Sequence, residues 1–114
     1  MATRYYIRLP DAKRARGSDA ALSFTAVSAE GFAEQLQDAL RHTSLFERWK
    51  ARQDDPDAVD PALGATDADA NVHGEQDDLH IDLVATTRLS GEIVRQRLRW
   101  LAGSAWELRD VTSA

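Results

Sequence analysis

The chain has 114 residues, a formal net charge of −5 at pH 7, 43% hydrophobic residues and no cysteine. This length fits one domain, and the lack of thiols excludes disulfides, thiolate catalysis and cysteine-ligated zinc or iron–sulfur clusters. No apolar run approaches the roughly 20 residues of a membrane helix, and the first residues lack the apolar segment of a secretory signal. We therefore expect a soluble, cytoplasmic protein in which residues 1–114 form a single domain.

The charges are distributed unevenly along the chain. Residues 53–87 contain ten carboxylates and no Lys or Arg, whereas the rest of the chain contains nine carboxylates and fourteen Lys plus Arg. The acidic average argues against bulk binding of nucleic acid, although a local basic surface is compatible with it. We expect the two parts to neutralise each other partly in the folded protein.

The first third of the chain predicts a hairpin. Residues 4–9 alternate as in a half-buried strand, with Tyr5, Ile7 and Leu9 facing the core. Residues 21–27 are predicted to form a second strand. The basic loop between them has turn residues at both ends and would join the two strands.

A helical pattern follows this hairpin. Ser28 is a suitable N-cap, and the apolar stripe predicts a helix over residues 29–41. The phase of the stripe breaks at residues 42–44, which predicts a second helical piece over 45–52 or a bend in one helix. Trp49 lies after the break, so we assign it to a second apolar cluster or to contact with a partner.

Residues 53–70 are predicted to form a long acidic loop. They contain two prolines, a glycine and six aspartates, and the pattern allows at most one helical turn. Loops of this length are uncommon in compact domains and often have a function.

The last third of the chain predicts a hairpin from residues 71–76 and 79–86, then a helix over 90–103 that Ser90 caps, then a strand over 104–112. The predicted order is ββα-ββαβ. The fold class is therefore α+β, with a single antiparallel sheet of four or five strands and two helices packed on one of its faces.

The two predicted strands of the second hairpin carry two histidines and two carboxylates. A two-residue turn at 77–78 would bring all four onto one face at cross-strand distance, and such a set suits zinc, iron or manganese. A three-residue turn would break the set, and the alternative interpretation is two solvated cross-strand ion pairs. The candidate ligands are His73, Glu75, His80 and Asp82.

A calcium loop is a competing interpretation of the same segment. Asp67, Asp69 and Asn71 occupy the first, third and fifth positions of such a loop, and Asp78 occupies the twelfth. The sixth position, where a calcium loop has glycine, is Val72. The two metal hypotheses use the same residues, so at most one of them can hold.

Four further residues are candidates for binding. Arg97 falls within the apolar arc of its helix and could bind an anion, while the alternatives are a packed stem or an ion pair with an acid. Arg4, Tyr6 and Arg8 share the outward face of the first strand, an arrangement that some domains use to stack single-stranded bases. The last strand adds to this face either Glu107 and Arg109 or Trp106 and Asp110.

The sequence contains no phosphate loop, no glycine fingerprint for dinucleotides, no nucleophile elbow and no HExxH zinc motif. The leading hypothesis is a small, non-enzymatic interaction or regulatory module without a cofactor, which binds another protein or forms a homodimer. The first alternative is a binder of single-stranded nucleic acid or of a small anion through Arg4, Tyr6 and Arg8. The second alternative is a metal-binding protein that uses the hairpin at 71–82.

Overall fold

The computed structural model describes all 114 residues as four β-strands and three α-helices, with three short 3-10 turns in the connections. The chain belongs to the α+β class, as the sequence predicts. None of the helices combines the length and the apolar character that crossing a membrane requires. In chain order the strands and helices are β1 (Thr3–Leu9), α1 (Ala29–Arg41), α2 (Ser44–Ala51), β2 (Asn71–Asp77), β3 (His80–Thr87), α3 (Gly91–Ala102) and β4 (Glu107–Ser113).

The four strands form one antiparallel sheet in the order β2-β3-β1-β4. Because β1 and β2 are both antiparallel to β3, they run parallel to each other with β3 between them. If α1 and α2 are counted as one connection, the path is β-α-β-β-α-β, the split β-α-β arrangement of ferredoxin-like folds. Folds of this kind carry many functions, so function has to be argued from the surface that the sheet presents.

The helices cover one face of the sheet. Tyr5, Ile7 and Leu9 of β1 are buried on that face, as are alternate residues of β3. Helices α1 and α3 turn their apolar stripes toward the same core. Ser28 and Ser90 accept hydrogen bonds from backbone N–H groups in the first turns of α1 and α3, which is the N-cap role predicted for them.

The strand predicted for residues 21–27 is not formed, so the first part of the predicted order is wrong. Leu22 and Phe24 are buried, as an inward strand face would be. However, the Phe24 N–H donates to the carbonyl oxygen of Leu101 in α3 (2.8 Å), and the side-chain oxygen of Gln35 in α1 accepts the next two N–H groups. Since helices satisfy this backbone, the segment links α1 to α3 and pairs with no strand.

The helical layer contains three helices, whereas the sequence predicted two helices packed on the sheet. The phase break at 42–44 separates α1 from α2, because His42 has an extended backbone (φ −126°, ψ 157°). Helix α2 reaches α3 through Trp49, whose ring stacks on that of Trp100 with centroids 4.8 Å apart. The two helical pieces considered from the sequence are therefore separate helices.

The acidic segment 53–70 contains no strand or α-helix, and its only regular elements are the 3-10 turns Pro56–Ala58 and Pro61–Gly64. Asp67 near its end is buried. The Asp67 carboxylate accepts hydrogen bonds from the hydroxyl of Thr87 (2.8 Å) and from the backbone N–H that follows Thr87 (2.9 Å). These bonds lower the pKa of Asp67 to about 2 and attach the segment to the end of β3.

Candidate interaction face

The face of the sheet opposite the helices is open. Arg4, Tyr6 and Arg8 of β1 project from it and are only partly buried, whereas the alternate residues of the same strand are fully covered by the helices. The shortest dimension of the molecule is 18 Å, which accommodates one sheet and one layer of helices of about 10–12 Å diameter. We call this surface the open face.

The strand register arranges the open face in rows that run across β2, β3, β1 and β4. Arg4, Tyr6 and Arg8 each lie in the centre of a row, between residues of β3 and β4. From the β2–β3 turn outward, the full rows are Glu75, Asp82, Arg8 and Glu107; then His73, Val84, Tyr6 and Asp110; then Asn71, Thr86, Arg4 and Thr112.

Strand β4 contributes two acids to the open face because it contains a bulge. Tyr6 pairs with Asp110, but the next residue of β1 pairs with Leu108, so Arg109 is an extra residue in β4. An extra residue shifts the alternation of side chains between the two faces. Glu107 and Asp110 therefore both lie on the open face. The sequence predicted either Glu107 with Arg109 or Trp106 with Asp110 on this face, and the bulge places one residue of each pair there.

The open face carries an excess of negative charge. It holds five carboxylates and two arginines, and Arg109 of the bulge pairs with one of these carboxylates, Glu107, at 3.1 Å, so the charge including this pair is 3 − 5 = −2 when the histidines are neutral. A surface of this sign attracts cationic partners and repels phosphates. The carboxylates are Glu75, Asp77, Asp82, Glu107 and Asp110, and the arginines are Arg4 and Arg8.

Only one of the two arginines has a carboxylate partner. Arg8 Nε donates to Asp82 Oδ1 (2.9 Å), and a second guanidinium nitrogen lies 3.4 Å from Asp82 Oδ2. The hydrogen bond from Arg8 lowers the pKa of Asp82 and, in return, raises the pKa of Arg8. The Arg4 guanidinium makes no hydrogen bond or ion pair within the chain, and the Tyr6 hydroxyl makes no hydrogen bond either. Both groups are therefore available to a partner.

The β2–β3 turn consists of residues 78–79, one position later than the turn considered from the sequence. The first turn residue is an aspartate with φ of 57°, the left-handed conformation that aspartate tolerates better than most residues. As a result, Asp77 lies opposite His80 and Glu75 lies opposite Asp82. The register with Glu75 opposite His80, which a two-residue turn at 77–78 would give, is not formed.

This register divides the four predicted metal ligands. His73 lies nearer the other end of β2, where its Nε2 is 3.1 Å from the side-chain nitrogen of Asn71. His80 Nε2 lies 3.3 Å from Asp82 Oδ2 and 3.6 Å from Asp77 Oδ2. Asp77, which the sequence did not indicate as a ligand, therefore lies beside His80 and His73 does not.

The calcium loop considered for residues 67–78 is not formed. Its second half is the extended strand β2, and seven strand residues span roughly 23 Å at about 3.3 Å per residue. Asn71 and Asp78 are therefore too far apart to bind one ion. Asp69 instead pairs with Arg88 at 3.1 Å.

Arg97 and Trp49 lie on the helix side of the molecule, away from Arg4, Tyr6 and Arg8. The Arg97 side chain is fully buried and donates to the carbonyl oxygens of Leu63 (2.9 Å) and Ala65 (3.3 Å). Its guanidinium lies 4.9 Å from the centre of the Trp100 ring, on which Trp49 stacks. Burial lowers the pKa of Arg97 to about 10. No carboxylate pairs with Arg97, and its contacts hold the acidic segment against α3.

Two features of the open face escaped the sequence analysis. Nothing in the sequence marks Arg109 as a bulge, because the residues around it alternate equally well in either phase. The turn position did have a signal in the sequence. A turn at 77–78 needs two successive aspartates with positive φ, whereas a turn at 78–79 needs only one, which is easier to adopt. That signal would have moved Asp77 from the turn into the strand and placed it opposite His80.

Comparison of the chain with protein-family models, with curated proteins and with solved structures found no match. The fold alone does not indicate an activity. The charge, the free polar groups and the geometry of the open face are therefore the basis of the functional argument.

Proposed function

We propose that this protein is a small interaction module, without catalytic activity of its own, that binds a basic protein surface through the open face of its sheet. The observation that carries this proposal is the charge of the open face, where five carboxylates outnumber Arg4, Arg8 and the Arg109 that pairs with Glu107. Complementary charge directs the encounter of two proteins and fixes their orientation. The partner is therefore expected to present Lys and Arg side chains opposite the acids.

The centre of the open face supplies contacts other than charge. Tyr6 and Val84 are neighbours across β1 and β3, and both are only partly buried. Tyrosine is among the residues that contribute most to protein–protein binding, because it buries a large ring and offers a hydroxyl. The free Tyr6 hydroxyl and the free Arg4 guanidinium would then bond to acceptors on the partner.

The competing proposal is binding of single-stranded nucleic acid or of a small anion through Arg4, Tyr6 and Arg8. Asp82 already engages Arg8, so of these two arginines only Arg4 lacks a carboxylate partner. Asp110 lies directly opposite Tyr6, where it would repel the phosphate of a stacked nucleotide. These contacts favour a protein partner over a nucleic acid.

The homodimer suggested by the sequence has a similar difficulty. Two open faces with the same excess of carboxylates would repel each other, and like charges at an interface cost several kcal/mol. Self-association through this face is therefore unfavourable, and a partner on the open face is expected to be a different protein.

A direct test uses the ¹⁵N-labelled full chain and two probes, a peptide rich in Lys and Arg that also contains apolar residues, and an oligothymidylate of ten nucleotides. The proposal predicts that the peptide shifts the amide signals of β1, β3 and β4. It also predicts that affinity falls steeply with salt, because screening weakens exposed charge pairs. Substitution Asp110→Lys should weaken peptide binding at least tenfold.

The matched control is Glu34→Lys, which makes the same charge change on an exposed position of α1. The proposal fails if Glu34→Lys weakens peptide binding as much as Asp110→Lys. It also fails if the oligothymidylate binds the open face more tightly than the peptide does, which would favour the nucleic-acid alternative.

A further inference from the structure

We propose that Asp77, His80 and Asp82 form a binding site for a divalent transition-metal ion, with zinc as the ion that the ligand set suits best. The site lies at the turn end of the open face, on β2 and β3. It does not depend on the proposed protein partner, because it is argued from the ligand geometry alone. One imidazole nitrogen and two carboxylate oxygens are common zinc ligands.

The spacing of the three ligand atoms fits one ion. His80 Nε2 lies 3.3 Å from Asp82 Oδ2 and 3.6 Å from Asp77 Oδ2, and all three atoms lie within 4.8 Å of one another. A tetrahedral ion with bonds of about 2.0–2.1 Å holds its ligands about 3.3–3.4 Å apart. The side chain of Asp77 is 74% exposed, so it can rotate to close the remaining distance.

The surroundings of His80 Nε2 support the same site. Its Nε2 atom is enclosed by the protein and has no hydrogen-bond partner. Its close neighbours are the carboxylate oxygens of Asp82 and Asp77, at 3.3 and 3.6 Å. An enclosed polar atom without a partner costs free energy and calls for an explanation. A metal ion between Nε2 and the two carboxylates would satisfy it.

The surroundings of Asp82 resemble those of a metal-binding carboxylate. Arg8 Nε holds Asp82 Oδ1 at 2.9 Å, which leaves Oδ2 directed toward His80. Hydrogen bonds of this kind orient carboxylates that bind metals. Glu75 lies opposite Asp82 on the same face, so it adds negative charge beside the ion.

The alternative explanation of the same geometry is an ion pair, in which a protonated His80 lies between two carboxylates. Zinc would compete with that proton, whereas an ion pair alone gives no reason for specific binding of zinc. A zinc titration of the full chain therefore separates the two explanations.

The experiment is isothermal titration calorimetry with zinc at pH 7.5, together with ¹⁵N spectra of the same samples. The site predicts one zinc ion per chain and shifts centred on residues 75–82. His80→Asn and Asp77→Asn should each weaken binding at least tenfold, since each removes a ligand. The matched control is His73→Asn on the same face of β2, which should bind zinc as tightly as the wild-type chain does.

Thermal melting without metal would verify that each variant remains folded. The proposal is overturned if the wild-type chain binds zinc no more tightly than His80→Asn does. It is also overturned if His73→Asn weakens binding as much as His80→Asn does. His73 would then be a zinc ligand, as in the set predicted from the sequence. Failure of the peptide experiment would leave this test unaffected, since no partner is present in it.

Discussion

The two faces of strand β3 differ sharply in burial. On the covered face Ile81, Leu83 and Ala85 have no exposed surface. On the open face the residues between them, among them Asp82 and Val84, remain partly exposed and meet no helix. Because side chains alternate along a strand, one short segment carries both the residues that stabilise the fold and the residues that are free to contact a partner.

This difference predicts opposite consequences for substitutions one residue apart. A change on the covered face removes buried contacts and should lower the free energy of unfolding. A change on the open face should leave stability nearly unaltered and alter binding instead. Pairs of matched residues of the same chemical type, one from each side, can test this separation.

The largest effect is expected for an apolar pair on β3. Leu83→Ala should lower the free energy of unfolding by about 3 to 5 kcal/mol, because it leaves a cavity in a fully buried site. Val84→Ala on the open face should cost less than about 1 kcal/mol, since partly exposed positions lose little on truncation. Urea unfolding monitored by circular dichroism measures both. Equal losses for the two variants would mean that the open face is covered in solution.

A pair of arginines should show the same separation with a smaller effect. Arg97→Ala should lower the free energy of unfolding by about 3 kcal/mol, because it removes buried packing and leaves the carbonyls of Leu63 and Ala65 without donors. Arg4→Ala should change it by no more than about 0.5 kcal/mol. Arg97→Lys should not restore stability, since an ammonium cannot reproduce the planar fork of the guanidinium. A stable Arg97→Ala variant would show that the acidic segment is held by other contacts.

Much of the fold could be predicted because its signals are local. The alternation in residues 4–9 and the serine caps at Ser28 and Ser90 depend on near neighbours only, and the strand and helices that they predict are present. The segment 21–27 has the same kind of signal but no strand, because its backbone partners are Gln35 and the end of α3. Those partners are distant in sequence and invisible to a periodicity argument.

The candidate site could be predicted only in part for a similar reason. Alternation placed Arg4, Tyr6 and Arg8 on one face, and the structure agrees. The metal set depended on the register of β2 against β3, and a shift of one residue exchanges every cross-strand partner. The alternation of the strands does not determine that register; only the poor fit of two aspartates in a two-residue turn indicated that the turn lay one position later. The bulge at Arg109 likewise arises from pairing with β1.

The smallest of the three effects is expected for a pair of aspartates and depends on pH. The N–H of Arg88 and the hydroxyl of Thr87 stabilise the Asp67 carboxylate and lower its pKa from 3.8 to about 2. A pKa that is lower in the folded state stabilises the fold at pH values above the ordinary pKa. That stabilisation, about 2 kcal/mol for this shift, is lost as the pH falls from about 4 to about 2.

Asp67→Asn should therefore be less stable than the wild-type chain by about 2 kcal/mol at pH 6, and the gap should narrow toward pH 2.5. Asp110→Asn on the open face should match wild-type stability at both pH values, and urea unfolding at each pH measures the gaps. A gap for Asp67→Asn that stays constant with pH would show that the shape of the side chain, and not its ionised form, secures the acidic segment to β3.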